Sequence, residues 1–399
     1  MDNKWYVNKN AFLLSLSAFF ADLGYQLVLT GFPIYIIFYL KAPVYSIGLA
    51  YAVIYGGGSK NIYFGGILGD RFGKKRMAIV GNLLIPILSF TAFSTNVFLA
   101  ILLFSLGWWA RNLRTPSRRG MLSDVVTVEQ KSKAFGLMHF LDITGAALAA
   151  LTFIIMLYFK VEIKYIFLIG VIPLLISTLC IIFVEYNDKV LSVKNEVSTQ
   201  KTDKQKSDEM GKISKNVLWG ILIGTTLFGF SYYSLGYPII TISQISGKDT
   251  IGALSYFIYL FVSGITGYAV GYFAGKFNKV KFLGLAGYIL SGFGSILIGI
   301  GYLLHLGLLF PFIGVAVLGL GLGVIETLEP SIISLISPKK TIGKQMGKLT
   351  AARSIGLFIG NLAMSLFYMS SPFLSYGYAF CISIIAGGII LYFGRRANI

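Results

Sequence analysis

Apolar runs of roughly 20 residues, each long enough to cross the hydrocarbon of a bilayer as a helix, recur along nearly the whole of this 399-residue chain. They lie near 11–39, 46–68, 77–95, 97–117, 133–159, 165–185, 216–244, 250–274, 281–303, 309–336, 344–369 and 373–394, and are numbered here as spans 1 to 12. Mean hydropathy is +0.76 and only 13% of residues are charged. A soluble chain of this size cannot keep so much apolar surface from water. The first run is too long for a signal peptide and lacks the small-residue cleavage pattern, so span 1 is expected to be retained.

A formal net charge of +18 would suit nucleic acid, but the bases stand in short clusters between apolar runs, which is the positive-inside pattern. The face carrying both termini holds 26 of the 34 Lys and Arg, against Lys41, Lys160, Lys164 and Lys248 opposite. The expectation is a multi-pass protein of an inner or plasma membrane with both termini cytoplasmic, the bilayer as its partner and no nucleic acid. Cys180 and Cys381 lie in apolar runs and read as packing residues. With two histidines, no metal-ligand spacing and no nucleophile beside a base, neither an enzyme nor a cofactor or metal is expected.

One long polar stretch, residues 187–215, carries KNEVSTQKTDKQKSDEMGK. It reads as a solvated linker between an N-terminal bundle, 1–186, and a C-terminal bundle, 216–399. A repeat supports the division. Gly31-Phe-Pro33 matches Gly236-Tyr-Pro238, Gly66-x5-Phe72 matches Gly271-x5-Phe277, and Ser46-Ile-Gly48 matches Thr250-Ile-Gly252, at offsets of 204 or 205. Pro116-Ser117 in span 4 answers Pro330-Ser331 in span 10. Both copies start on one side, so the repeat is parallel. The predicted fold is all-α, twelve transmembrane helices in two six-helix bundles.

The loop after span 2 reads Gly66-Ile-Leu-Gly-Asp70-Arg71-Phe-Gly73-Lys74-Lys75-Arg76. It resembles the signature loop of the major facilitator superfamily, G-x-x-x-D-R/K-x-G-R/K-R/K, at its usual place between spans 2 and 3. The run RNLRTPSRRGMLSD in span 4 resembles a prokaryotic efflux-permease-like branch. The resemblance implies a secondary transporter working by alternating access, with spans 1, 4, 7 and 10 lining a central cavity and this loop acting as a gate. Gly66 and Gly73 would allow close approach and a tight turn, and Asp70 would pair with Arg118 or Arg119, or dock on the N-terminus of span 11. Alternatively Arg71, Lys74, Lys75 and Arg76 anchor the loop to anionic headgroups. The second copy has Gly275 in place of the acid.

Inside the spans lie Asp22, Lys60, Arg111, Arg114, Asp142, Glu326, Glu329 and Arg353. Such groups are costly in a bilayer and are functional candidates by default, with mutual pairing as the alternative. Asp22 falls near mid-bilayer with Tyr25 and Gln26 on its face, and its repeat counterpart is Leu227. Asp22, Asp142, Glu326 and Glu329 are the proton-coupling candidates. Arg111 and Arg114 are taken to oppose Glu326 and Glu329 as a gate, or to bind an anionic solute. Asp142 aligns with Arg353, and His139 lies one turn before Asp142. Tyr233 and Tyr237 join Tyr25, Gln26, Arg111 and Arg114 as cavity candidates, and Arg353 joins the gating set.

The function expected is proton-coupled export of a small organic molecule by antiport, from a monomer. The alternatives are import of a small anionic metabolite by symport and a solute sensor that does not transport.

Overall fold

The computed structural model describes residues 8–127, 131–186, 204–231, 236–336 and 342–397, and these are helical apart from short turns and loops. Among the described residues nine helices are long and apolar enough to cross a membrane: Lys9–Tyr39, Lys74–Phe93, Ala134–Tyr158, Ile163–Ile182, Asp249–Phe273, Lys279–Leu303, Leu309–Ile333, Gly347–Ser370 and Pro372–Phe393. They are spans 1, 3, 5, 6 and 8 to 12. Spans 2 and 4 are the helices Tyr45–Phe72 and Val97–Val125. They are less apolar, span 2 through Gly56-Gly-Gly-Ser-Lys-Asn61 and span 4 through its arginines. Span 7 is two helices, Lys204–Ser231 and Gly236–Ser246. Its first helix begins inside the expected linker, so residues 204–215 are helical rather than loop.

Side chains fix where the rods start and bend. Asn8 accepts from the Ala11 amide and Asn96 from the Leu99 amide, both at 2.9 Å, each satisfying an otherwise orphan N–H of a first turn. Span 1 contains Pro33, whose missing N–H breaks the regular ladder, and it ends as a π-helix over Tyr35–Tyr39. Between spans 2 and 3 a single residue, Gly73, turns the chain at φ 99°, a conformation that glycine alone adopts without strain.

Helix packing repeats with the sequence. Span 1 packs on spans 5 and 6, and spans 2 and 3 on span 4. In the second half span 7 packs on spans 11 and 12, and spans 8 and 9 on span 10. Across the halves span 2 meets span 11 and span 5 meets span 8. The aligned glycines Gly145 and Gly356 each press against backbone, of span 1 at Phe19 and of span 7 at Thr226. Gly319 and Gly323 abut span 8, and Gly321 abuts Ser291 of span 9, close packing that suits small residues in lipid.

The apolar interior is divided unequally between the two ends. At the end away from the linker one core joins both halves, with Phe32, Tyr51 and Phe104 beside Tyr237, Tyr256 and Tyr376. At the linker end the described residues form two separate cores. One holds Leu14, Met121, Met138 and Ile181; the other holds Val217, Leu283, Ile325 and Ile333. Among the described residues the halves therefore share a buried apolar core at one end only. Outward, large side chains such as Phe64, Phe261 and Leu366 are bare, as a surface meant for lipid requires.

Candidate functional site

Two charged clusters occupy corresponding places in the two halves. In the first, Asp22 of span 1 is buried and accepts from the Tyr25 hydroxyl. The Asp142 carboxyl of span 5 stands within hydrogen-bonding reach of Asp22. Arg118 of span 4 pairs with Asp142 at 3.4 Å. The Arg111 guanidinium lies over the rings of Tyr25 and Trp108, at 5.0 and 4.7 Å from their centroids. Positions 111, 114 and 118 share a side of span 4, and all three arginines are electrostatic neighbours of Asp142.

In the second cluster Arg353 of span 11 pairs with both Glu326 and Glu329 of span 10. Glu329 is fully buried and also accepts from the Tyr288 hydroxyl of span 9. The expected gate of Arg111 and Arg114 against Glu326 and Glu329 is therefore not formed. Both acids turn to an arginine one helix away in their own half. Arg114, with no exposed surface, donates to Asn82 of span 3 at 2.6 Å. Asn82 in turn donates to Thr178 at 2.7 Å and Ser177 at 3.2 Å on span 6. Arg114 thus binds the first bundle together as well as charging it.

The halves meet near these clusters. Tyr256 of span 8 donates to Gln26 of span 1 at 2.6 Å. Arg119 lies close enough to Glu326 to interact across the interface. His139 neighbours Gly267 of span 8, and its Nε2 has no hydrogen-bond partner among the described residues. Tyr237 is buried, donates to the Asn361 carbonyl at 3.2 Å and packs on Tyr368. Tyr233 lies outside the described residues. Lys60 is exposed and makes no ion pair among the described residues.

The motif loop differs from expectation in detail. Asp70 is exposed and has no ion pair among the described residues, and Arg118, its expected partner, pairs with Asp142. The carboxylate engaged at this end is Asp124 of span 4, held by Lys74 at 2.7 Å and by the Tyr186 hydroxyl at 2.7 Å. Lys75 donates to the Val184 carbonyl at 2.7 Å, so these bases brace the end of the first bundle. Arg71 lies over the Phe72 ring. A Cβ at Gly66 would come no nearer than 3.9 Å to Pro116. The close approaches to span 4 are at Gly65, against Leu113, and at Gly69, against Ser117. Among the described residues no group of His, Cys, Asp and Glu is placed to hold a metal ion.

Trp108, Tyr288, Asn82, Tyr256 and Asp124 complete the clusters and were not singled out by the sequence. Trp108 could have been found one turn before Arg111. Asn82 could have been found as an amide within an apolar run.

A family model for the Major Facilitator Superfamily matches residues 14–360. The chain belongs to the Major Facilitator Superfamily. No curated protein is similar enough in sequence to count as a match. Among solved structures, a D-xylose-proton symporter superposes with a TM-score of 0.75 at 14% identity, over 96% of this chain and 97% of that one. The partially occluded inward-open form of the xylose transporter XylE from E. coli gives 0.73 at 14% identity, over 98% of each chain. A POT-family transporter in complex with 5-aminolevulinic acid gives 0.70 at 14% identity, over 97% and 96%. At such identities the likeness is one of fold. As a superfamily member the chain is a multi-pass membrane protein of the transporter class, and its charged clusters lie on helices that this fold brings together.

Proposed function

We propose that the protein carries a small organic solute by alternating access, coupled to proton movement through Asp22 and Asp142. The observation that carries this reading is the meeting of those two carboxyl groups beside Arg111 and Arg118. Such a pair can hold one proton between its members. A proton arriving at Asp142 loosens its hold on Arg118, so the arginine changes partner as the acid changes charge. One charge crossing 100 mV is worth about 2.3 kcal/mol, which supports roughly 50-fold accumulation.

Export by antiport is most direct where solute and proton compete for one group. Asp22, Asp142, Glu326 and Glu329 are each held already by an arginine or a tyrosine. A cationic solute competing with the proton would have to displace these partners. The arrangement therefore supports symport, in which solute and proton load together. Antiport remains the second reading, favoured by the efflux-like run of span 4. Both termini are proposed to face the cytoplasm of a cell membrane, on the Lys and Arg asymmetry. One chain supplies both clusters, so a monomer suffices.

The test is proton movement in proteoliposomes with a trapped pH dye, on addition of a panel of solutes. Solute-dependent proton entry that is lost in Asp22→Asn and Asp142→Asn supports symport. Proton movement opposite to the solute returns antiport. Solute binding without any flux would make the protein a sensor.

A further inference from the structure

The first cluster gathers more positive charge than it balances. Arg111, Arg114 and Arg118 surround Asp142, and Asp22 is the second acid of the group. Apart from Arg119, which also neighbours Asp142 but is met by Glu326 from the other half, three guanidiniums face two carboxyl groups. Their hydrogen bonds are incomplete as well. Nε and Nη1 of Arg118, Nε and Nη2 of Arg114 and Nε of Arg111 are shut from solvent and have no acceptor among the described residues. Arg114 is 0% and Arg118 3% exposed. A buried donor without an acceptor costs about 1–3 kcal/mol, and more when charged, so five of them are poorly explained as packing. The second cluster is the opposite case. It has two acids to one arginine, and of Arg353 only Nε lacks an acceptor among the described residues.

Arg111 adds a second character. Its guanidinium rests over Tyr25 and Trp108, and Tyr55 meets Trp108 edge-on at 6.1 Å. A guanidinium stacked through its face keeps its in-plane N–H edge for a carboxylate. The neighbouring rings offer a wall for an apolar or aromatic body. Of the group, the Asp142 side chain keeps 22% of its surface exposed, while Tyr25, Trp108, Arg114 and Arg118 are buried, so a ligand reaches the arginines past Asp142 only as these side chains shift.

We propose that Arg111, Arg114 and Arg118 form the binding site for the single carboxylate of an organic monoanion, whose apolar or aromatic body lies along Trp108, Tyr25 and Tyr55. One negative charge balances three bases against two acids. An ammonium group would meet three arginines instead. An inorganic oxyanion would satisfy the N–H groups and leave the rings uncovered. The inference rests on the symport reading for its consequence: an anion that competes for Arg118 frees Asp142 to accept a proton. The site itself stands or falls separately.

Calorimetry on the full chain in detergent tests both. The probes are benzoate, its neutral relative benzamide, the cation benzylamine, and inorganic phosphate, in two buffers of different ionisation heat. The expected result is benzoate binding with roughly one proton taken up, phosphate weaker by about tenfold or more, and no heat from benzamide or benzylamine. Arg111→Gln weakens benzoate by roughly tenfold to a hundredfold, and Arg396→Gln, at the chain terminus, does not. Tyr55→Leu keeps every charge and narrows the preference for benzoate over phosphate, so it tests the site even where Arg111→Gln fails to fold. Benzamide binding as tightly as benzoate, or no binding by either anion, overturns the site. Phosphate binding as tightly as benzoate overturns the organic body. Benzoate binding without proton uptake upholds the site and removes Asp142 from the coupling.

Discussion

Asp142 holds Arg118 at 3.4 Å between spans 5 and 4, and in the second half the same relationship appears with its charges exchanged. There the base, Arg353, is on span 11 and the acids, Glu326 and Glu329, are on span 10. Asp142 and Arg353 occupy aligned positions of the repeat, so one architecture carries opposite signs. The printed ion pairs of both clusters therefore lie within one half or the other.

Removing Arg353 strands two acids, one of them fully buried. Breaking a buried pair from one side costs about 3–5 kcal/mol. Arg353→Gln is expected to lower the unfolding temperature in detergent markedly. Adding Glu326→Gln and Glu329→Gln to it should recover most of that loss, which thermal unfolding of the single and triple variants will show.

Asn82 ties Arg114 to span 6. Asn82→Leu takes the acceptor from a buried guanidinium and breaks the bonds to Thr178 and Ser177. A hydrogen bond to a charged group is worth about 1.5–3 kcal/mol, so a destabilisation of at least that size is expected. Asn82→Asp, which keeps the acceptor, should cost less. Both are read by thermal unfolding.

The fold was legible because its determinants are long-range in sequence and simple in kind: apolar length, basic clusters and the offset of about 205 residues seen in Gly31-Phe-Pro33 and Gly236-Tyr-Pro238. Even the alignment of Gly145 with Gly356 reappears as two equivalent helix contacts. The site was legible as a set of charges but not as a set of partners. Helix position gives depth and face, whereas partner choice depends on how neighbouring helices rotate. Glu326 and Glu329 therefore meet Arg353 and not Arg111 and Arg114, although spacing alone sets them opposite. Arg118 likewise pairs with Asp142, on a helix that the loop motif does not include, and not with Asp70. The Tyr256–Gln26 bond has no signal in the sequence.

Because Tyr256 and Gln26 join spans 8 and 1 across the halves, Tyr256→Phe should favour separation at that end. One neutral hydrogen bond is worth about 0.5–1.5 kcal/mol, a shift of roughly twofold to tenfold in the open population. Maleimide labelling of Gly236→Cys, made in Cys180→Ser/Cys381→Ser protein, should be faster in Tyr256→Phe by that factor.

Gly48 of span 2 abuts Ser365 of span 11 at the shared-core end. Alternating access requires this contact to open. A Gly48→Cys/Ser365→Cys pair in the same cysteine-free chain should lose flux on oxidation and regain it on reduction, measured in proteoliposomes. Undiminished flux in the oxidised protein would mean that this end stays shut throughout transport.

The central claim, that a carboxyl pair in the first half couples proton and solute, is tested most directly by solute uptake into proteoliposomes under an imposed inward proton gradient, comparing wild type with Asp142→Asn. The account predicts gradient-driven accumulation in wild type, and in the variant only equilibration, with exchange of internal for external solute retained. Accumulation by Asp142→Asn equal to that of wild type would contradict it.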